Sequence, residues 1–368
     1  MVSIAGIILG GILSLSIYEK EAASVDVRFR TQVLLSAYFK DTKPFGTKEG
    51  PIDVILPNIP DSKFYYGFGI RRSRLDFRGH YITKALKYRM QIAFEGASAS
   101  LLDFFTTYNI SEFFEIKAGQ YKIPYNREEL VSSGELEFVD RSVINSYFAL
   151  ARDVGVTLSA GPQLAKLNVG VFTGWGRNFQ RIDATNISKN LLYVGRIEIT
   201  PVGKTVYSQP NLKGEELINI GIGGLFFPIS QVEIDNKKIS SRRDKPDILK
   251  IIENKAQKEN LLSFTGDVKL WLDNKLSFET EAHFTPDLYD NNLFGIRIQP
   301  SFMLTEQIGL AARFSSVLSE KDKPIFEPGI AFSYYFKDHT KLQLDYINQR
   351  GPKNDFAYIR AQFQVYIK

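Results

Sequence analysis

Basic side chains are concentrated in two neighbouring segments of the chain. Four arginines lie within residues 71–78, and Lys87 and Arg89 follow in the next segment. A guanidinium can bind an oxyanion through two N–H donors, and a row of such groups could pass an anion along without trapping it. A charged strand face is more often only a solvated face, and Asp76 and Glu95 dilute this positive field. The candidate anion path consists of Arg71, Arg72, Arg74, Arg78, Lys87, Arg89 and Lys117.

Few residues are available for other chemistry. The chain has no cysteine, which excludes disulfides, thiolate metal sites and cysteine nucleophiles. Only three histidines are present for acid–base or metal chemistry. Glu279, Glu281 and His283 resemble a metal or acid–base cluster, but alternate residues of one strand spread along the strand instead of converging. No serine motif accompanies a histidine. We therefore predict no enzyme, no metal site and no cofactor.

Composition narrows the class of protein. With 44% hydrophobic and 24% charged residues, the chain is too apolar to be disordered. Its 46 basic and 41 acidic residues are mixed evenly, without the basic tail or helix that nucleic-acid binding would require. The length of 368 residues would suggest two or three domains, but a large barrel can be one domain.

Apolar and polar residues alternate through most of the chain. In residues 86–95, Leu86 and Tyr88 lie on one face, and Lys87 and Arg89 lie on the other. This period of two is typical of a half-buried strand. The pattern predicts about sixteen strands, centred near residues 32, 71, 90, 105, 117, 156, 169, 195, 221, 266, 280, 298, 312, 331, 344 and 362.

So many sequential strands cannot remain one open twisted sheet, and closure into a barrel removes the edges. An arginine or lysine that faced lipid at mid-depth would cost about 2–4 kcal/mol, so the polar face should line the interior. Longer connections at 40–63, 124–151, 174–189 and 228–260 fall at one end of the barrel, and 201–215 is the exception among the short turns. Aromatic residues near strand ends suggest interfacial girdles: Tyr108, Phe113, Phe114, Phe226, Phe227, Tyr334, Phe336 and Tyr346.

One predicted strand changes phase. Its apolar residues run from Phe64 to Ile70 on one parity and then switch to Leu75. A one-residue bulge between Ile70 and Ser73 would restore a continuous apolar face and turn both Arg71 and Arg72 toward the interior.

The amino terminus has the pattern of a signal peptide. Residues 1–18 carry no charge, and the apolar run at 4–17 is shorter than the roughly 20 residues that a spanning helix needs. We predict a signal peptide at residues 1–23 and a single barrel domain at 24–368. A buried or interfacial first helix is the alternative.

Five short motifs resemble the phosphate-selective porin O and P family. They are RRSRL at 71–75, GQYKIP at 119–124, FVDRS at 138–142, RDVGV at 152–156 and FTGWG at 172–176. The resemblance implies a sixteen-stranded, trimeric channel in the outer membrane of a diderm (Gram-negative-type) bacterium, surrounded by lipid. It also implies that the third external loop, residues 123–151, folds inward to narrow the pore. The basic residues in and beside that loop are Lys122, Arg127, Arg141 and Arg152.

Two features depart from the family pattern. The chain ends in Ile367 and Lys368 instead of an aromatic residue, and the loop region between Lys122 and Asp153 has four basic against six acidic residues. Phosphate specificity therefore does not carry over residue by residue.

We predict an outer-membrane porin, a passive diffusion channel for small hydrophilic solutes with a weak preference for small anions or phosphate. One rival is a non-conducting structural or surface-attachment barrel that would use the loops 40–63 and 228–260. The other is a soluble periplasmic β-protein that binds a ligand.

Overall fold

The computed structural model describes residues 23–40, 64–95, 98–177, 190–229, 246–255, 259–272, 275–337, 339–351 and 355–368. Apart from Ala23, the predicted signal peptide lies outside these residues. The signal peptide and the domain boundary after residue 23 therefore stay predictions.

The described residues form sixteen antiparallel strands, each paired with its neighbours in the chain. β1 also pairs with β16, which closes the sheet into a barrel. Each predicted strand centre falls inside an observed strand, so the all-β, up-and-down barrel is confirmed. The strands are β1 (Ala23–Lys40), β2 (Phe64–Tyr81), β3 (Thr83–Glu95), β4 (Ser98–Asn109), β5 (Phe114–Lys122), β6 (Arg152–Ala160), β7 (Ala165–Phe172), β8 (Leu192–Val202), β9 (Leu217–Ile229), β10 (Glu259–Leu272), β11 (Leu276–Thr285), β12 (Leu293–Met303), β13 (Ile308–Ser319), β14 (Ile325–Lys337), β15 (Thr340–Gln349) and β16 (Phe356–Ile367).

The two faces of the barrel wall differ as the alternation predicts. On β12, Phe294, Ile296 and Ile298 are exposed outward, whereas Arg297 and Gln299 are buried on the inward face. Apolar outward side chains suit lipid, and buried polar side chains need hydrogen-bond partners inside the barrel. The interior must therefore supply those partners.

β2 contains the predicted bulge. Its pairing with β1 shifts register between Ile70 and Arg72, so Arg71 is the extra residue. A bulge allows two successive side chains to point to one side. Arg71 and Arg72 both donate to the carboxylate of Asp140, which confirms that the phase change brings them together.

Three helices occur among the described residues: α1 (Arg127–Leu130), α2 (Val143–Phe148) and α3 (Asp247–Lys255). α1 and α2 lie within residues 123–151, and α3 lies in the connection between β9 and β10. Within the described ranges, every helix is too short or too polar to cross a membrane. α3 buries Ile248, Leu249 and Ile252 against the cluster that contains α2.

An apolar cluster, which the sequence analysis did not predict, fills part of the interior. Inward-facing Leu225, Phe227 and Leu261 pack in one cluster with Ile144 and Phe148 of α2. The assignment of Phe227 to an interfacial girdle was therefore wrong, because its position on β9 gives it the inward parity. At this end of the barrel the inward face meets helices instead of water.

Candidate pore and its charged side chains

On β2 and β3, guanidiniums of the predicted anion path are interleaved with carboxylates. Arg78 is ion-paired with Asp76, and Arg89 Nε lies 2.9 Å from Asp76 Oδ1. Arg89 Nη1 also lies 3.5 Å from Asp103 Oδ2. The side chains of Arg78 and Arg89 are 39% and 26% exposed, whereas those of Asp76 and Asp103 are 8% and 2% exposed. The cations therefore face the open part of the interior, and their carboxylate partners lie behind them.

Three further residues of the path lie at different depths. Arg74 Nε is 3.2 Å from Glu95 Oε1, and Arg74 Nη1 donates to Ser133 Oγ at 2.9 Å. Lys87 on β3 is exposed, and Lys117 on β5 is half-buried. The path residues thus belong to β2, β3 and β5.

Arg71 and Arg72 are bound to residues 123–151. Arg71 Nη2 lies 3.0 Å from Asp140 Oδ1, and Arg72 is paired with the same oxygen. Arg360 of β16 reaches Asp140 Oδ2 at 2.7 Å. Burial by itself would raise the pKa of Asp140, but the three guanidiniums hold it well below its ordinary value. One carboxylate therefore ties residues 123–151 to both β2 and β16.

Lys122 and Arg127 hold residues 123–151 in place. Lys122 Nζ donates to the carbonyl oxygen of Val131 at 2.8 Å. The side chain of Arg127 is fully buried and donates to Asn219 Oδ1 at 2.6 Å and to the carbonyl oxygen of Val206 at 2.5 Å. Neither cation faces open space.

Arg141 and Arg152 are also engaged. Arg141 Nη2 donates to the carbonyl oxygen of Val131 at 2.7 Å, and Arg152 Nε donates to Asp103 Oδ1 at 2.7 Å. The second contact lies within the barrel wall, between β6 and β4. The four basic residues singled out from the sequence therefore act as anchors in this structure.

The acidic residues of 123–151 bind inward-facing polar groups. Glu128 Oε2 lies 3.5 Å from Arg297 Nε, and Gln299 Nε2 donates to Glu137 Oε2 at 2.8 Å. Residues 123–151 contact inward-facing side chains of β1, β2 and β8–β16. The negative charge counted from the sequence is therefore directed at that part of the wall.

His283 lies in a buried polar group. Its Nε2 is 2.8 Å from Glu281 Oε1, and its ring stacks on Phe148 with centroids 4.9 Å apart. Glu281 also accepts hydrogen bonds from Asn126 and from the backbone N–H of Glu128. Among the described residues, no three histidine or carboxylate side chains are arranged to hold a metal ion. The group links β11 to residues 123–151.

A closed sixteen-stranded barrel with an apolar outer face and a charged interior defines the class, a transmembrane β-barrel of the outer membrane. Residues 61–211 match the family described as phosphate-selective porin O and P, which confirms the resemblance seen in the motifs. Over residues 61–211 the chain is thus similar to a family of outer-membrane porins, and its closed barrel is that of a protein of the outer membrane of a Gram-negative bacterium.

Solved outer-membrane proteins share the fold. An anion-selective porin from Comamonas acidovorans is 9% identical with a TM-score of 0.62, over 94% of this chain and 100% of that one. The outer-membrane channel DcaP of Acinetobacter baumannii is 10% identical with a TM-score of 0.58, over 94% and 98%. The trimer form of in-vitro folded OmpT of Vibrio cholerae is 11% identical with a TM-score of 0.55, over 94% and 100%. A comparison with curated protein sequences found no match.

Proposed function

We propose that the protein is a passive diffusion channel for small hydrophilic solutes, with a weak preference for anions such as phosphate. The observation that carries this proposal is the arrangement on β2–β4, where the partly exposed guanidiniums of Arg78 and Arg89 lie over the nearly buried carboxylates of Asp76 and Asp103. An ion at moderate salt responds mainly to charges within about 8–10 Å, so it responds most strongly to the cations that face it.

Residues 123–151 form the constriction in this proposal. Their contacts with β1, β2 and β8–β16 occupy that part of the interior, and the route for solutes runs along the wall of β2–β5. Glu128, Glu137 and Asp140 of the loop are paired with polar groups of the wall, so they oppose the passage of anions only weakly. Glu135, which is 24% exposed beside His339, is the loop carboxylate that faces the cavity. Glu95 and Asp26, which are about one-third exposed, keep the preference small.

The anion preference predicts the sign of the reversal potential in a KCl gradient across a planar bilayer. We expect an anion-selective sign for the unmodified protein, and a shift toward cations when Arg78 and Arg89 are both replaced by Ala. These substitutions remove two partly exposed cations and leave Asp76 without its partners. Lys275→Ala, in an exposed turn, is the matched control and should leave the potential unchanged.

This recording distinguishes an anion-preferring channel from its alternatives. Cation selectivity in the unmodified protein would contradict the anion preference. A folded protein without conductance would instead favour the structural or surface-attachment barrel. A homotrimer is part of the proposal and is supported by the trimer form of OmpT. Insertion of one trimer into the bilayer should give three equal conductance steps.

The Asp140 cluster predicts how the constriction responds to acid. A carboxyl whose pKa is lowered by folding stabilises the folded state fully above its ordinary value of 3.8, and this stabilisation is lost as pH falls through the lowered pKa. We therefore expect constant single-channel conductance from about pH 7 to about pH 5, and a rising, noisier conductance below 3.8. The amide of Asp140→Asn cannot titrate. If the conductance of this variant rises by the same amount at the same pH, Asp140 is not the group responsible for the acid response.

A further inference from the structure

The connection between β8 and β9, residues 203–216, lies at the end of the barrel where the other connections are short turns. Its middle, residues 209–211, is buried in the barrel, with Gln209 only 1% exposed, whereas residues 203–204 and 215–216 are exposed. The backbone carbonyl oxygen of Gln209 accepts hydrogen bonds from Lys269 Nζ at 2.7 Å and from Trp271 Nε1 and Ser277 Oγ at 3.2 Å each. This connection is therefore fastened to the inward face of β10 and β11.

Gln209 also joins the connection to residues 123–151. Its backbone N–H donates to the carbonyl oxygen of Glu135 at 3.1 Å, and its Oε1 accepts from the backbone N–H of Glu137 at 2.8 Å. Gln299 of β12 donates to the same oxygen at 3.1 Å. The 203–216 connection is thus held from three directions and presents a fixed surface to the interior.

A cavity of about 370 Å³ lies between this surface and the arginines of β1–β3. The connection contributes Val206, Pro210 and Leu212 to its lining, and Trp271 and Tyr366 add aromatic surface. On the other strands, the cavity is lined by Arg28, Arg30, Arg74, Arg78 and Arg89. Three carboxylates, those of Asp76, Glu135 and Glu215, also line it. The basic side chains outnumber the acidic ones, so the cavity combines a lining of net positive charge with an apolar surface.

Arg30 is a buried cation of this cavity that lacks a carboxylate partner among the described residues. It is 9% exposed, and its two Nη atoms donate only to neutral hydroxyls, Ser132 Oγ at 3.0 Å and Ser133 Oγ at 3.1 Å. Its Nε is buried without a hydrogen-bond partner. Among the described residues, no carboxylate forms an ion pair with it. A buried guanidinium in this setting is most stable when an anion enters beside it.

We propose that this cavity is a binding site for small organic anions that carry an apolar part, such as alkyl carboxylates. The carboxylate would pair with Arg30 and its neighbours, and the alkyl chain would lie against Val206 and Leu212. The 203–216 connection is then a specificity-determining element of the pore, and Gln209 is its positioning residue. The inference rests on the proposed channel function and names a solute class for it.

Block of the chloride current by acetate, butanoate and hexanoate tests this site, because the three ions share one charge and differ only in apolar length. In a planar bilayer we expect the half-blocking concentration to fall by up to about fifteenfold with each added pair of methylenes, the limit for complete burial of both groups. Val206→Thr combined with Leu212→Asn nearly preserves volume and should flatten this dependence on chain length. Leu304→Ser, in an exposed short turn, is the matched control.

A second variant tests the anion contact separately. Arg30→Gln should raise the half-blocking concentration of all three carboxylates by a similar factor and preserve the dependence on chain length. A chloride current with anion-selective sign that all three block equally would overturn the binding site and leave the channel proposal standing. Cation selectivity or absence of current would overturn the channel proposal itself. If the variants fail to fold, the series on the unmodified protein still decides the matter.

Discussion

Deleting residues 132–140 should raise the single-channel conductance several-fold while the barrel stays folded. This stretch contains the groups that bind Arg30, Arg74 and Arg360 from the interior, and none of it belongs to a strand. The strand ladder, including the pairing of β1 with β16, does not depend on it. Conductance is measured in planar bilayers, and folding is checked by the heat-dependent migration typical of such barrels.

The matched control is deletion of residues 320–323, an exposed stretch between β13 and β14 that lies at the opposite end from the short turns. This deletion should leave conductance unchanged. If the shortened loop 123–151 conducts no more than the intact protein, the loop is not the constriction.

Asp140→Asn should give the largest loss of stability that we expect from a single loop residue. The amide keeps the shape of the carboxylate but leaves the charges of Arg71, Arg72 and Arg360 without their shared counter-ion. Breaking a buried ion pair by removing one partner typically costs about 3–5 kcal/mol. Because Asp140 is 18% exposed, we expect a free-energy loss near the lower end, about 3 kcal/mol.

The loss of stability can be measured as a lower urea midpoint for unfolding of the barrel in detergent. We also expect stronger anion selectivity, because one negative charge disappears beside the pore. Asp26→Asn removes a carboxylate from the half-exposed pair with Arg28 and serves as the control, with a much smaller effect on stability. Equal midpoints for Asp140→Asn and the unmodified protein would show that the three guanidiniums do not need this counter-ion.

The sequence alone determined the barrel and its strands. The period of two specifies which side chains face lipid and which face the interior, and this constraint is local, because successive side chains on a strand point to opposite faces. For the same reason the bulge at Arg71 could be placed from the change of parity between Ile70 and Leu75. The motifs also indicated the family, which the match over residues 61–211 supports.

The tertiary structure decided what fills the interior. Nothing local in the sequence shows that Asp140 meets Arg360, which is 220 residues away, or that Gln209 joins residues 123–151 to β10. Such contacts depend on how the barrel closes, because closure brings the inward faces of distant strands and loops into one space. Parity also could not distinguish an inward residue that meets water from one that meets α2, and for that reason Phe227 was misassigned.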